Sequence, residues 1–212
     1  MPIEPSRIVV LGAGGRTGRL LLDASLGAGR TTIAAVRSPA RAGIEPHSGL
    51  SIVEADARNS ESLRRLLLSG DVIVSAIGPT GRKSNGLYES VAKAVLNAAE
   101  TRPHRFIGIT SSGVRDNDPN HPWWYRTLLV PVMRDTYGDM RRMESLIEAS
   151  NLEWTFIRPA RLTDHPATGR FRVEDGTNPS RGVSVPRADV ANFAISCITD
   201  DTWSMTRPTI AQ

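Results

Sequence analysis

The 212-residue sequence contains one cysteine, Cys197, and no uninterrupted apolar run reaches the ~18 residues of a membrane-spanning helix. A single cysteine excludes a disulfide framework and favours a reducing compartment. The apolar neighbours of Cys197 favour a small buried side chain over a nucleophile. Because the first residues lack a charged segment followed by an apolar one, we expect neither secretion nor a membrane anchor, and therefore a cytoplasmic protein.

Excess charge and metal-ligand spacing are also lacking. The net charge is only +4, with 26 basic residues spread among 22 acidic ones, which favours an anionic small molecule as partner over nucleic acid or a membrane. His47, His104 and His165 share no metal-ligand spacing, so no metal site is predicted. The length fits one domain, which we expect to be a monomer or a homodimer.

The first motif present is a glycine-rich turn between an apolar run, Ile8–Leu11, and a helical pattern at residues 19–24. Such a turn leaves the first N–H groups of the helix unpaired at its positive end, where they can bind phosphate. The spacing Gly12-x-x-Gly15-x-x-Gly18 differs from the standard G-x-G-x-x-G, whose last glycine would fall on Thr17. A structural turn is the alternative, but the flanking strands and helix favour a dinucleotide site that includes Arg16 and Thr17.

The residue after the second predicted strand bears on which dinucleotide binds. A carboxylate at this position accepts hydrogen bonds from the 2′-hydroxyl of NAD, whereas an arginine suits the 2′-phosphate of NADP. Here the strand at residues 31–36 is followed by Arg37 and Ser38, whose hydroxyl adds a donor. The alternative is an ordinary surface arginine. We predict NADP(H) as the cofactor.

Strand and helix patterns alternate along nearly the whole chain, which predicts an α/β protein with a doubly wound, Rossmann-like parallel sheet. We expect one NAD(P)-binding domain over residues 1–212, with a small substrate-side region at about 113–135 and 158–186. Asn59 is the expected cap of the second of the predicted helices. The predicted strands are 8–11, 31–36, 50–54, 72–77, 105–110, 154–157 and 208–210, and the helices are 19–24, 60–68, 86–100, 139–149 and 187–199.

In such a sheet, ligands bind at the carboxyl ends of the strands. After the third strand, Asp56 could accept a hydrogen bond from the adenine amino group while Ala57 lines the ring, or Asp56 could cap the next helix. Arg158 and Pro159 follow the sixth strand, where a strand-ending turn is an alternative to a ligand contact. Candidate residues at the other strand ends are Gly78, Ser111 and Ser112.

These motifs resemble those of the atypical short-chain dehydrogenase/reductases. The resemblance is greatest to the small NAD(P)H-binding branch that includes biliverdin-IXβ (flavin) reductase and relatives of the nitrogen-metabolite-repressor protein. It rests on residues 12–18, 36–37, 74–78, 109–112, 151–159 and 186–191. It implies that Gly12, Gly15 and Gly18 approach the pyrophosphate and that Arg37 binds the 2′-phosphate. It further implies that Ala76, Ile77 and Gly78 pass under the nicotinamide ribose, that Ser111 stands at the catalytic serine position and that Pro159 borders the nicotinamide.

The sequence departs from the larger family at the Tyr-x-x-x-Lys pair, in which lysine lowers the pKa of a proton-transferring tyrosine. Tyr137 is followed four residues later by Arg141, and Met140 stands where many relatives of the small branch carry a basic residue. Tyr137 is therefore either a catalytic residue, with Arg141 assisting, or a pocket residue. A tyrosine-driven alcohol dehydrogenase is disfavoured.

An electron-poor planar acceptor needs less help from the protein, because water or one hydroxyl can supply the proton. We therefore predict an NADPH-dependent reductase of a flavin, a quinone or an aromatic polyketide-like compound, with Ser111 and Tyr137 as candidate catalytic residues. The alternative is a non-catalytic NADP(H)-binding redox sensor or regulatory protein.

The segment His121–Tyr125 is the least generic part of the sequence. Its aromatic residues could form a wall against a flat substrate, or Trp123 and Trp124 could pack into the core as a helix anchor. His121 could donate a proton, although a lone loop histidine more often has no catalytic role. The predicted substrate-binding residues are Ser112, Trp123, Trp124 and Tyr125.

Overall fold

The computed structural model describes residues 7–81, 83–99 and 104–212, and all structural statements concern these residues. Ten strands are present: β1 Ile8–Leu11, β2 Thr32–Val36, β3 Leu50–Glu54, β4 Val72–Ser75, β5 Arg105–Ile109, β6 Glu153–Pro159, β7 Arg161–Thr163, β8 Arg172–Asp175, β9 Ser184–Pro186 and β10 Pro208–Ala211. The α-helices are α1 Arg16–Gly27, α2 Pro39–Ala42, α3 Ser60–Leu66, α4 Leu87–Ala99, α5 Val130–Val132, α6 Arg134–Glu148 and α7 Arg187–Ser196.

The main sheet has eight strands in the order β3-β2-β1-β4-β5-β6-β10-β8. Every pairing from β3 along this order to β10 is parallel, whereas β8 pairs with β10 antiparallel. The doubly wound, Rossmann-like fold is therefore confirmed, and the expectation of a wholly parallel sheet is wrong at this edge. Strands β7 to β9 were not predicted, because each has only three or four residues and carries little periodic signal.

Alternate side chains of the central strands point to opposite faces of the sheet, and each face is covered by helices. In β1, Val9 and Leu11 pack on the face covered by α3, α4 and α6. Ile8 and Val10 pack on the face covered by α1 and α7. Burial on both faces explains why these strands read as continuous apolar runs, and it leaves the carboxyl ends of the strands as the open edge.

Helix α6 begins at Arg134, five residues earlier than predicted. The sequence predicted a start at Asp139, because the apolar helical stripe of Met140, Met143, Leu146 and Ile147 begins directly after it. The structure places Asp139 inside α6, where its carboxylate accepts hydrogen bonds from the N–H groups of Tyr88 (3.1 Å) and Glu89 (3.0 Å) in the first turn of α4. This aspartate therefore caps a neighbouring helix and not its own.

Other boundaries moved by a few residues. Strand β6 extends through Arg158 and Pro159, which pair with β10, so the strand-ending turn expected there is wrong. The fourth predicted strand ends at Ser75, and Asn59 caps α3 as predicted, with Ser62 N–H donating to Asn59 Oδ1 at 2.9 Å. Glu100, the predicted last residue of α4, lies outside the described residues.

Cys197 is buried near the end of α7, and burial raises the pKa of its thiol to about 12. The prediction of a small buried side chain is confirmed. In the part of the chain that the structure describes, every helix is too short or too polar to cross a bilayer.

Candidate active site

The glycine-rich turn joins the end of β1 to α1, which starts at Arg16. Gly12 has φ +81°, and a Cβ there would lie 2.9 Å from the carbonyl oxygen of Ala76. A Cβ on Gly18 would overlap the carbonyl oxygen of Gly12, whereas Gly14 faces open space. The missing side chain of Gly12 therefore lets the turn pack against the chain after β4. The missing side chain of Gly18 lets α1 pack against the turn.

The start of α1 has the properties that a phosphate group requires. Its N-cap residue is Gly15, so no side chain at this position accepts a hydrogen bond from the first N–H groups of the helix. The first turn also contains no acidic residue. The first N–H groups of the helix are thus directed at the open space of the turn, where the helix dipole favours an anion. The residues present fit a dinucleotide pyrophosphate.

A cavity of about 360 Å³ lies next to this turn, at the carboxyl ends of the central strands. It is lined by Thr17, Ala76, Ile77, Gly78, Tyr88, Ile109, Thr110, Ser111, Tyr125, Leu129, Met133, Tyr137, Met140, Pro159, Ala160, Arg161, Leu162 and Arg187. The structure therefore brings together the strand-end candidates Gly78, Ser111 and Pro159, whereas Arg37 and Asp56 line a separate cavity. Because much of this lining is apolar, the cavity suits a flat organic ligand.

Arg37 is exposed at the end of β2, next to Ser38, which precedes α2. No salt bridge engages Arg37 within the described ranges, so its guanidinium is available to a ligand. This position after β2 is where a Rossmann fold holds the adenosine ribose. The prediction that Arg37 and Ser38 bind a 2′-phosphate stands as a prediction.

Asp56 follows β3 and has a local partner. Its carboxylate accepts hydrogen bonds from the backbone N–H of Arg58 at 3.0 Å and from Arg58 Nη2 at 2.9 Å. The Arg58 guanidinium holds the pKa of Asp56 below its ordinary value, and Arg37 adds to this effect. Because Asn59 caps α3, the interpretation of Asp56 as the helix cap is wrong. Ala57 is buried beside it, and the adenine contact remains a prediction.

Four hydroxyl groups meet at one end of the cavity. The hydroxyl oxygens of Tyr125 and Tyr137 lie 2.9 Å apart, and the hydroxyl groups of Ser111 and Ser112 lie close to that of Tyr125. We call these four residues the hydroxyl cluster. Burial raises the pKa of Tyr125, and Tyr137 raises it further, so this phenol remains a proton donor at neutral pH. Three of the four members line the cavity, and Ser112 lies buried behind them.

His121 extends the hydroxyl cluster away from the cavity. Its Nε2 lies 3.1 Å from Ser112 Oγ, and its ring lies against the Tyr125 ring with centroids 4.3 Å apart. Burial lowers the pKa of His121, so the imidazole is neutral at pH 7. His121 therefore supports Ser112 and Tyr125 from behind and does not line the cavity.

Gly113 makes room for the two tyrosines, and the sequence analysis did not identify it. A Cβ at Gly113 would overlap the Tyr137 ring and would lie 2.7 Å from the Tyr125 hydroxyl oxygen. A glycine directly after two serines at a strand end was the available signal. Its role became visible only because Tyr125 and Tyr137, from other segments, converge on it.

Arg141 does not assist Tyr137 in the way the helical spacing allowed. Its Nη1 donates to the carbonyl oxygen of Val114 at 3.0 Å and to Asp116 Oδ1 at 2.9 Å. The neighbouring Met140 lines the cavity with an apolar side chain. The partner of Tyr137 is therefore Tyr125 and not a basic residue.

A buried ion pair lies behind the cavity and was also missed. Glu144 on α6 pairs with Arg158 on β6, and Thr110 Oγ1 donates to Glu144 Oε1 at 2.8 Å. Because Thr110 lines the cavity, this network ties the end of β5, the end of β6 and α6 around the site. Glu144 is 34 positions from Thr110 and 14 from Arg158, so no local pattern links the three residues.

The two tryptophans of the segment His121–Tyr125 lie elsewhere than expected. Trp123 and Trp124 are exposed and do not line the cavity, so the alternative of a core anchor is wrong. Trp124 contacts the Tyr125 ring edge-on, with centroids 6.1 Å apart. Only Tyr125 of the predicted aromatic wall faces the cavity, and a contact of the tryptophans with substrate remains a prediction.

Charged side chains bridge the cavity mouth. Asp164 accepts from Arg16 at the start of α1 and from Arg187 at the start of α7, both at 2.6 Å. Arg187 lines the cavity, as does the exposed Arg161. No three His, Cys, Asp or Glu side chains of the described ranges are grouped so as to hold a metal ion.

Comparison with known proteins gives the context of this geometry. A family model described as NAD(P)H-binding matches residues 12–201, which is most of the chain. The solved structure of the oxidoreductase ylbE from Lactococcus lactis is 20% identical with a TM-score of 0.82, covering 97% of this chain and 90% of that one.

Two further structures share the fold. A short-chain dehydrogenase/reductase from Veillonella parvula, solved in complex with NADP, is 18% identical with a TM-score of 0.78, covering 98% of this chain and 94% of that one. SP1627, a candidate NADH-flavin reductase from Streptococcus pneumoniae, is 18% identical with a TM-score of 0.76, covering 98% of this chain and 99% of that one. At these identities the structures establish a common fold.

Proposed function

The chain belongs to the NAD(P)H-binding family, and we propose that it is an NADPH-dependent reductase of a planar, electron-poor acceptor such as a flavin, a quinone or an aromatic polyketide-like compound. The observation that carries this proposal is the position of the hydroxyl cluster. Its phenols and Ser111 lie in a largely apolar cavity that also contains the strand-end residues Gly78 and Pro159.

The cofactor is held by groups along one edge of the sheet. The turn with Gly12, Gly15 and Gly18 receives the pyrophosphate, together with Arg16 and Thr17, and Arg37 and Ser38 bind the 2′-phosphate. Ala76, Ile77, Gly78 and Pro159 surround the nicotinamide half. When bound, the reduced dinucleotide supplies the hydride. The NADP present in the Veillonella parvula structure of the same fold supports this cofactor.

The protein contributes a proton and a dry, shaped space. Tyr125, kept protonated by burial, donates its phenolic proton to the acceptor atom that gains negative charge, and Tyr137 and the His121 ring hold that phenol in place. Ser111 donates a hydrogen bond to the same side of the acceptor. Leu129, Met133 and Met140 exclude water and confine a flat ring. The candidate flavin reductase among the fold relatives supports a planar acceptor.

The reaction is tested by measuring NADPH oxidation with a panel of flavins, quinones and polycyclic aromatic ketones. We expect turnover with at least one planar acceptor and none with simple aliphatic alcohols or ketones. If calorimetry shows that NADPH binds but the whole panel leaves it unoxidised, the reductase proposal fails and the redox-sensing alternative gains. That alternative predicts partner binding that differs between the oxidised and reduced cofactor.

Replacing Arg37 by alanine is expected to weaken NADPH binding by roughly ten- to a hundredfold, since a charge-assisted hydrogen bond contributes about 1.5–3 kcal/mol. The affinity for NADH, which lacks the 2′-phosphate, is expected to change little. Isothermal titration calorimetry measures both. Arg170→Ala is the matched control, because Arg170 is an exposed arginine beside β8 at the opposite edge of the sheet. An unchanged NADPH affinity in Arg37→Ala would disprove the 2′-phosphate contact.

A further inference from the structure

The segment that covers the cavity presents two apolar faces. Tyr125, Leu129 and Met133 line the cavity, and Leu129 is also 37% exposed. Trp124, Leu128 and Val132, each one position earlier, are 42%, 65% and 70% exposed, and the adjacent Trp123 is 70% exposed. We call these four residues the outer stripe. Such a group of exposed large apolar side chains is uncommon on a protein surface and marks an interaction site.

The function of the cavity does not account for the outer stripe. Closure of this segment onto a bound ligand would bury the inward face, which Tyr125, Leu129 and Met133 form. Three residues of the outer stripe each directly precede one of these cavity-lining residues, and the stripe itself does not line the cavity. A ligand in the cavity would therefore leave the outer stripe in water. A partner outside the cavity is therefore needed to cover it.

The charged side chains within the segment that carries the outer stripe are basic, and the exposed Asp135 follows directly after it. Residues 119–134 contain Arg126 and Arg134 and neither aspartate nor glutamate. Both arginines are exposed, and neither forms a salt bridge within the described part of the chain. The next acidic residue, Asp135, already accepts hydrogen bonds from the backbone N–H and the hydroxyl of Ser84. The covering partner should therefore combine apolar and anionic groups.

We propose that the outer stripe lies on an anionic lipid surface. Tryptophan and leucine insert at the boundary between headgroups and acyl chains, while arginines contact the lipid phosphates. A second copy of the chain fits less well, because a two-fold contact through this surface would bring the same arginines of both copies together. This proposal departs from the expectation of no membrane partner, and it does not depend on the reductase activity.

The proposal is tested by flotation with vesicles of phosphatidylcholine alone and of phosphatidylcholine with phosphatidylglycerol. The informative variant is L128S/V132S, because both residues are exposed and neither lines the cavity. The matched control is L68S/V183S, which removes a leucine and a valine that are 52% and 51% exposed elsewhere on the surface. Circular dichroism and NADPH binding confirm that each variant is folded.

We expect the wild type and L68S/V183S to float with the phosphatidylglycerol vesicles, less so at high salt. The bound-to-free ratio of L128S/V132S should be lower by roughly tenfold or more, since each change removes a large apolar side chain from the lipid. Absence of binding, equal binding to the two kinds of vesicle, or equal loss in both variants would overturn the proposal. The proposal would also be overturned if analytical ultracentrifugation showed that the wild type is a dimer and that L128S/V132S is a monomer.

Discussion

Tyr125→Phe is expected to lower the kcat of NADPH oxidation by about a hundredfold or more, while the Kd for NADPH stays unchanged. The phenylalanine keeps the ring in place and removes only the proton, and a positioned general acid contributes roughly 10²–10⁴-fold to rate. The substitution removes the phenol that hydrogen-bonds to Tyr137 and lies close to Ser111 and Ser112. Steady-state kinetics with the best acceptor, together with calorimetry of NADPH, separates the chemical step from binding.

Tyr88→Phe is the matched control, since Tyr88 is also buried at the cavity but lies outside the hydroxyl cluster. Its effect on kcat should be far smaller. Burial raises the pKa of Tyr125, so the active, protonated phenol persists beyond pH ~10, the ordinary pKa of tyrosine. Loss of this proton should therefore not reduce kcat between neutral pH and that value. Equal kcat values for the two phenylalanine variants would remove Tyr125 from the proton-donor role.

Glu144→Ala is expected to lower the free energy of unfolding by about 3–5 kcal/mol, because it leaves the buried guanidinium of Arg158 without its partner. Urea denaturation measures this loss. Glu61→Ala, which breaks an exposed pair with Arg64, should cost less than about 1 kcal/mol. The double variant Glu144→Leu/Arg158→Met should be more stable than Glu144→Ala, since it buries no lone charge. A loss in Glu144→Ala no larger than that in Glu61→Ala would show that the ion pair does not stabilise the fold.

The two substitutions differ in what they report about the site. Tyr125 is expected to act on the reacting atoms, so its replacement changes a rate. Glu144 touches Thr110 and Arg158 at the back of the cavity, so its replacement changes stability first and the shape of the cavity second. An activity loss in Glu144→Ala that is restored in the double variant would assign Glu144 a positioning role.

The sequence by itself determined the fold class and the place of the glycine-rich turn. The apolar runs of β1 and β4 and the glycine spacing from Gly12 to Gly18 are local patterns, and they report which backbone groups pair and where a helix must start. Because the carboxyl ends of parallel strands share one edge, the same patterns predicted that Gly78, Ser111 and Pro159 would meet.

Only the tertiary structure decided how the hydroxyl cluster and its surroundings form. The Tyr125–Tyr137 contact, the space that Gly113 leaves for it and the Glu144–Arg158 pair join residues from separate elements. Asp139 showed the same limit, since its carboxylate caps α4 and not its own helix. The sequence also left open which face of the segment that carries Trp124 and Tyr125 packs against the protein, because both faces have apolar residues. The structure places Tyr125 at the cavity and leaves Trp124 exposed. Contacts of this kind depend on how the helices pack on the sheet, which hydrophobic periodicity and helix caps along the chain do not encode.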